Sequence, residues 1–161
     1  MTSRQDRTRG QAAVEFALLV PIFVLLLVGI FDLGRGVYAW STLNNAAREG
    51  ARQGIVDQTA THIRDRAATH SVALGLTSAD VDVEFRNKAD TGPCTELTNV
   101  ETNDDAFANT CLVRVTVNYD YAAATPIIGN IVGTFAMTGE STMPIDVFCQ
   151  EPVVASCPRG E

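Results

Sequence analysis

The longest apolar stretch of the chain runs from Ala12 to Phe31, and Glu15 is the only charged residue within it. At a helical rise of about 1.5 Å per residue, these residues cover roughly 30 Å, the thickness of the hydrocarbon core of a bilayer. No second apolar run of that length follows. The pattern therefore predicts a single membrane-spanning helix over residues 11–31.

The residues around this stretch predict its orientation. Residues 1–10 contain three arginines and one aspartate, and an excess of positive charge holds a helix end in the cytoplasm. We therefore expect residues 1–10 to be a cytoplasmic leader or tail, and residues 32–161 to form an extracytoplasmic domain. Pro21 removes one helical hydrogen bond, which predicts a kink that membrane helices tolerate.

A cleaved secretory signal peptide also has a basic start and an apolar core. Its core is normally about 7–15 residues long and ends at a small-x-small cleavage site. The run in this chain is longer, and it is followed by Tyr38 and Trp40, aromatic residues suited to a membrane interface. These features favour an anchor over a cleaved signal peptide.

Helical periodicity resumes from Val37 to Ile55, with small residues on one face and charged residues around it. This small-residue face consists of Leu43, Ala47, Gly50, Ala51 and Gly54. Two interpretations are open: the face packs against a neighbouring subunit, or it packs on the sheet of this chain. Asp57 is expected to cap a second helix that reaches about Leu74. Its apolar stripe consists of Ala60, Ile63, Ala67, His70 and Leu74.

The following segments alternate apolar and polar residues, as strands with one wet face do. This pattern predicts antiparallel strands at 81–86 and 113–121, and weaker ones at 135–142 and 145–149, where Pro144 suits an edge. The expected fold class is α+β. A long amino-terminal transmembrane helix continues into an amphipathic helix, and a small antiparallel β-sheet domain with a second helix follows.

Two connections between these strands stand out in the sequence. Residues 89–110 form a long acidic loop whose E-T-N-D-D run could hold calcium, but the run lacks the spacing of a known calcium loop. Residues 126–132 read P-I-I-G-N-I-V. We expect a short helix there, either on the membrane or, by default, under the sheet.

Composition limits the possible functions. The chain of 161 residues has room for one anchor and one domain of about 100 residues. Its net charge is -7, and residues 80–105 contain eight acidic residues against two basic ones, which argues against a nucleic-acid partner. No catalytic, phosphate-binding or metal-ligand motif is found, and His62 and His70 lack a ligand pattern. We therefore expect no enzyme activity, cofactor, metal or small-molecule substrate.

Four cysteines lie on the predicted outer side, where disulfides persist: Cys94, Cys111, Cys149 and Cys157. Three pairings are possible. Proximity in sequence favours Cys94 with Cys111 and Cys149 with Cys157. The spacing lacks the C-x-x-C pattern of a zinc site, so disulfides are favoured over metal.

The amino-terminal third of the chain carries two motifs that are specific together. These are R-G-Q-A-A-V-E-F-A-L-L-V-P-I-F at residues 9–23 and L-N-N-A-A-R-E-G-A-R at residues 43–52. The segment resembles the TadE-like family, minor pilins or pseudopilins of the tight-adherence (Tad/Flp) pilus system. The resemblance implies a pilin-like domain and a prepilin-peptidase site formed by Gly10, Gln11, Glu15 and Phe16, cut after the glycine.

The same resemblance implies a role for Glu15, which would become the fifth residue of the mature chain and neutralise the amino terminus of a neighbouring subunit. We therefore expect a minor pilin or pseudopilin that assembles a Tad-type pilus for surface adhesion, with the membrane, other pilus subunits and the Tad assembly platform as partners. Its location would be the cytoplasmic (inner) membrane. The alternative is a permanently anchored extracellular binding domain that never enters a fibre.

Overall fold

The computed structural model describes residues 3–94, 111–125, 129–130 and 133–146, with side chains from residue 10 onwards. The helices and strands within these ranges are α1 (Ser3–Val56), α2 (Ala60–Ser71), β1 (Val81–Asn87), β2 (Cys111–Ala122) and β3 (Thr134–Pro144). A long apolar helix, a second helix and a small antiparallel sheet confirm the expected α+β class. The chain divides into two compact units.

The first unit comprises Met1–Val37 and Ala122–Thr134. Its main element is the amino-terminal part of α1, which is rich in the strong helix formers leucine and alanine and stays helical through Pro21. The kink at this proline stays a prediction. Within the described part of the chain, α1 is the one helix long and apolar enough to cross a membrane.

The second unit comprises Tyr38–Tyr121 and Phe135–Glu161, and its sheet has the strand order β1-β2-β3. β1 and β2 pair antiparallel, with Val81 opposite Val117 and Asn87 opposite Cys111. The carboxy-terminal part of α1 and α2 share one core with the inward side chains of the sheet. This core includes Leu43, Ala46, Ala47, Ala51, Ile63, Ala67, Val81, Val113, Val115, Val117 and Ile145.

The opposite face of the sheet is polar. Arg114 forms ion pairs with Asp90 and, at 3.2 Å, with Glu140, while Arg86 pairs with Asp90 at 2.9 Å. All four of these residues belong to the second unit. The sheet therefore has one buried and one wet face, as the alternation of residue types predicted.

The strand boundaries confirm three of the four predicted strands. β1 and β2 are slightly longer than predicted, and β3 ends at Pro144 on an edge of the sheet. The predicted strand at 145–149 is wrong for its first two residues. Ile145 is buried and donates its amide to the Cys111 carbonyl at 3.1 Å, while the amide of Asp146 bonds to Ile55. Residues 147–149 lie outside the described ranges.

The second helix begins later than predicted. α2 starts at Ala60 after the N-cap residue Thr59, and a 3-10 turn extends it to Leu74. Asp57 is therefore not the N-cap residue, although its carboxylate accepts the Thr59 amide at 2.9 Å. Ile63 and Ala67 are buried as expected. His70 is exposed and Ser71 is buried in its place, because the buried stripe follows the spacing 63, 67, 71.

β3 approaches α1 closely at Gly139, which is buried. A Cβ placed on this glycine would lie 2.5 Å from the carbonyl oxygen of Leu43 and 2.8 Å from the amide nitrogen of Asn44. Both atoms belong to the helix backbone, which cannot rotate away. Only glycine allows the strand to lie this close to the helix.

Candidate functional site

The apolar part of α1 is largely exposed. Phe16 is 70% exposed, Ile22 65% and Phe31 63%, and most side chains between them are exposed as well, while Val20 and Val28 are half-buried. Soluble proteins rarely expose apolar patches of this size, and such patches mark membrane or protein contacts. The apolar segment therefore needs a lipid or protein surface to cover it.

Glu15 lies within this exposed segment. Its Oε1 accepts a hydrogen bond at 3.3 Å from Nε2 of Gln11, one helical turn earlier. No described cation is within ion-pair distance of Glu15. A carboxylate in a bilayer costs about 2.5–3.5 kcal/mol near the helix centre and less near its ends, so an outside partner would stabilise it.

Gly10 begins the candidate processing site. It is helical and exposed, and a Cβ built on it would meet nothing within 4 Å. The described contacts therefore do not require glycine at this position. Helix stability does not favour it either, because glycine destabilises a helix interior by about 0.5–1 kcal/mol relative to alanine. Gln11 and Phe16 are exposed as well. The four predicted site residues thus lie together on an open helix.

Asp32 is a residue that sequence reasoning missed. It is buried and immediately follows the apolar stretch. Its Oδ1 accepts the amide of Ala124 at 3.1 Å, and its Oδ2 accepts the hydroxyl of Thr125 at 2.6 Å. Some 92 residues separate these partners in sequence, so no local pattern could have indicated the contact.

The small-residue face is covered within the second unit. A Cβ on Gly50 would lie 3.0 Å from the Cβ of Ala67, and a Cβ on Gly54 would lie 2.7 Å from a methyl group of Val113. Ala47 and Ala51 are fully buried. Of the two interpretations left open by the sequence, these contacts favour packing on the protein's own α2 and sheet. The role of Ala47, Gly50, Ala51 and Gly54 in subunit assembly stays a prediction.

A polar cluster joins α1 to α2 around Asp57, whose side chain is buried. Its Oδ2 lies 2.7 Å from Nδ1 of His62, and the side chain of Gln58 donates to the Gly54 carbonyl at 2.9 Å. Burial raises the pKa of Asp57, but hydrogen bonds from Thr59 and His62 outweigh burial and leave this pKa below its ordinary value. The cluster holds a charged carboxylate at the corner between the helices.

The described residues contain no group of three or more His, Cys, Asp or Glu side chains that could hold a metal ion. Cys94 and Cys111 are instead joined as a disulfide, with their Cα atoms 5.8 Å apart. This is the first of the two pairings favoured by proximity. Cys149, Cys157 and the proposed calcium-binding run lie outside the described ranges.

Comparison with known proteins finds a family match over part of the chain. The family model described as TadE-like protein matches residues 10–52, which confirms the resemblance over that segment. The match covers the exposed apolar helix, Glu15 and most of the small-residue face. No curated protein and no solved structure gives a significant match.

Proposed function

We propose that this chain, TadE-like over residues 10–52, is a minor pilin or pseudopilin that takes part in assembling a Tad-type pilus for surface adhesion. The observation that carries the proposal is the exposed apolar helix with a single carboxylate, Glu15, near its start. Such a helix suits both a bilayer and the apolar interior of a helical fibre, because each covers its side chains.

In this proposal residues 11–31 cross the cytoplasmic membrane. The three arginines of residues 1–10 keep the amino terminus in the cytoplasm, and residues 32–161 lie outside. The Cys94–Cys111 disulfide supports an extracytoplasmic location for the domain, because disulfides persist in oxidising compartments.

A prepilin peptidase would cut after Gly10. Several observations support this step: the glycine is exposed, the described packing does not require it, and Glu15 follows five residues later. Cleavage would make the Gln11 nitrogen a new ammonium group. Within an assembled fibre this ammonium of one subunit would pair with Glu15 of a neighbour, so that each charge reduces the cost of burying the other.

The processing step is tested by the intact mass of the protein purified from membranes, with and without active prepilin peptidase. We expect wild-type protein to lose residues 1–10 only when the peptidase is active. Gly10→Leu should keep its full mass. Gly29→Leu is the matched control and should be processed, because a Cβ at either glycine meets nothing within 4 Å. A full-length wild-type mass with active peptidase would instead favour a permanently anchored binding domain.

The role of Glu15 is tested by counting pili on cells that express Glu15→Gln in place of the wild-type protein. The amide has nearly the same shape but no charge, so it cannot neutralise a neighbouring ammonium, and we expect few or no pili. Glu84→Gln, a change on the wet face of the sheet, should leave pilus number unchanged. Normal piliation by Glu15→Gln at wild-type protein levels would refute the proposed pairing.

A further inference from the structure

We propose that the connection between β2 and β3 contacts the lipid headgroup layer beside the outer end of the membrane helix. The structure describes residues 123–125, 129–130 and 133 of this connection, and the inference concerns these residues. It rests on the proposed membrane span of residues 11–31. The short helix expected at 126–132 falls mostly outside the described residues, so its location stays a prediction.

The first support is the compact unit to which the connection belongs. Ala122–Thr134 cluster with Met1–Val37, whereas β1 and most of β2 and β3 belong to the other unit. Asp32 makes the attachment specific, because its carboxylate accepts both the Ala124 amide and the Thr125 hydroxyl. The connection is therefore hydrogen-bonded to α1, the helix that carries the apolar segment.

The second support is the position of Asp32 along α1. It is the first residue after the proposed span, so it lies about 1.5 Å beyond the hydrocarbon boundary for a helix along the membrane normal. The headgroup layer on each side is roughly 5–8 Å thick, from the difference between the full bilayer and its core. Because Ala124 and Thr125 bond directly to Asp32 at 3.1 and 2.6 Å, their polar groups fall within this layer.

The third support is chemical. Residues 122–134 contain no charged side chain and seven aliphatic ones, whereas the wet face of the sheet carries a network of ion pairs. Two backbone amides are also paired within the connection: the Gly129 amide donates to Thr125 at 2.8 Å and the Gly133 amide to Gly129 at 2.9 Å. An uncharged segment with paired backbone groups suits the edge of a bilayer.

The test uses the single tryptophan of the chain. In a Trp40→Phe background, the full-length protein is reconstituted into phosphatidylcholine vesicles, and one new tryptophan is introduced at a time. Asn130→Trp reports on the connection, Leu26→Trp on the anchor, and Asn118→Trp on the exposed surface of β2. Lipids brominated at shallow and deep acyl positions quench a nearby tryptophan and show its depth.

We expect Asn130→Trp to have blue-shifted emission and to be quenched mainly by the shallow bromolipid. Leu26→Trp should be quenched mainly by the deep one, and Asn118→Trp by neither. If Leu26→Trp is quenched but Asn130→Trp is not, the proposed lipid contact is refuted while the anchor stands. If neither is quenched, the membrane span itself fails. Shielding of Asn130→Trp from iodide without lipid quenching would indicate a protein neighbour and would also refute the lipid contact.

A second variant tests whether Asp32 positions the connection. Thr125→Val keeps the shape of the side chain but removes the hydroxyl that donates to Asp32. We expect it to reduce the quenching of Asn130→Trp without changing that of Leu26→Trp. Thr69→Val is the control, because its hydroxyl bonds only within α2, to Asp65. If Asn130→Trp is quenched equally in the Thr125→Val and Thr69→Val proteins, Asp32 does not position the connection.

Discussion

Replacing Gly139 with alanine tests the close approach of β3 to α1. The added Cβ would lie 2.5 Å from the Leu43 carbonyl oxygen and 2.8 Å from the Asn44 nitrogen. Optimal separations for such heavy atoms are about 3.5–4.0 Å, so the strand would have to move away by roughly 1 Å. The helix backbone offers no rotation that relieves the clash, and the displacement would loosen the core beneath the strand.

The expected size of this effect follows from two opposing contributions. Overpacking a closely packed site costs about 1–3 kcal/mol. Alanine also restricts the unfolded chain, which returns about 0.4–1 kcal/mol where the backbone suits it. Gly139 has no positive φ, so this second contribution applies. We expect a net loss of about 1–2 kcal/mol, equivalent to roughly 4–16 °C in Tm for a domain of this size.

The assay is thermal unfolding of the full chain in detergent micelles, followed by near-ultraviolet circular dichroism. This signal reports on the aromatic contacts of Tyr121 with Tyr119 and with Phe135 of β3. Gly92→Ala is the control, because its Cβ would lie 3.8 Å from the nearest atom, an ordinary contact. If Gly139→Ala is as stable as Gly92→Ala, the close packing of β3 on α1 is wrong.

Two further predictions concern the domain. The pKa of Asp57 lies below its ordinary value of 3.8 in the folded state, so its stabilising contribution is complete above that value and is lost as pH falls through the folded pKa. Below about pH 4, Tm should therefore fall more steeply for wild type than for Asp57→Asn, and parallel pH profiles would contradict this. The double variant Cys94→Ser, Cys111→Ser should lose about 3 kcal/mol, since the disulfide closes a 17-residue separation. An unchanged urea midpoint would show that the disulfide does not stabilise the fold.

Local patterns predicted the elements of the fold well. The exposed apolar helix follows from a run of residues that are nearly all apolar, and β2 follows from the alternation of Val113, Val115 and Val117 with polar residues. These patterns can be recognised in the sequence because residues on the same face of a helix or strand recur at a fixed spacing. The predicted start of α2 was less accurate. Asp57 and Thr59 are both good capping residues, and only their contacts show which of them is the N-cap residue.

Contacts between distant segments could not be predicted in the same way. Asp32 reads as a residue at the end of a helix, and only the folded chain shows that Ala124 and Thr125 bond to it. Gly139 likewise gives no sign of the helix backbone beside it. The small residues Gly50 and Gly54 did predict close packing, but their pattern did not identify Ala67 and Val113 as what they pack against.

The Cys94–Cys111 disulfide fixes the two ends of the segment between the cysteines, so the pairing register of β1 and β2 does not depend on the sequence of that segment. Cys111 pairs with Asn87 across the strands, and the Cys94 amide bonds to the Phe85 carbonyl at 2.9 Å, so both ends of the intervening segment are held by backbone bonds as well as by sulfur. Lengthening a closed loop costs only about 0.6 kcal/mol for each doubling. The interval between the cysteines is therefore a natural point for inserting an epitope or affinity tag, which would report on which side of the membrane the domain lies.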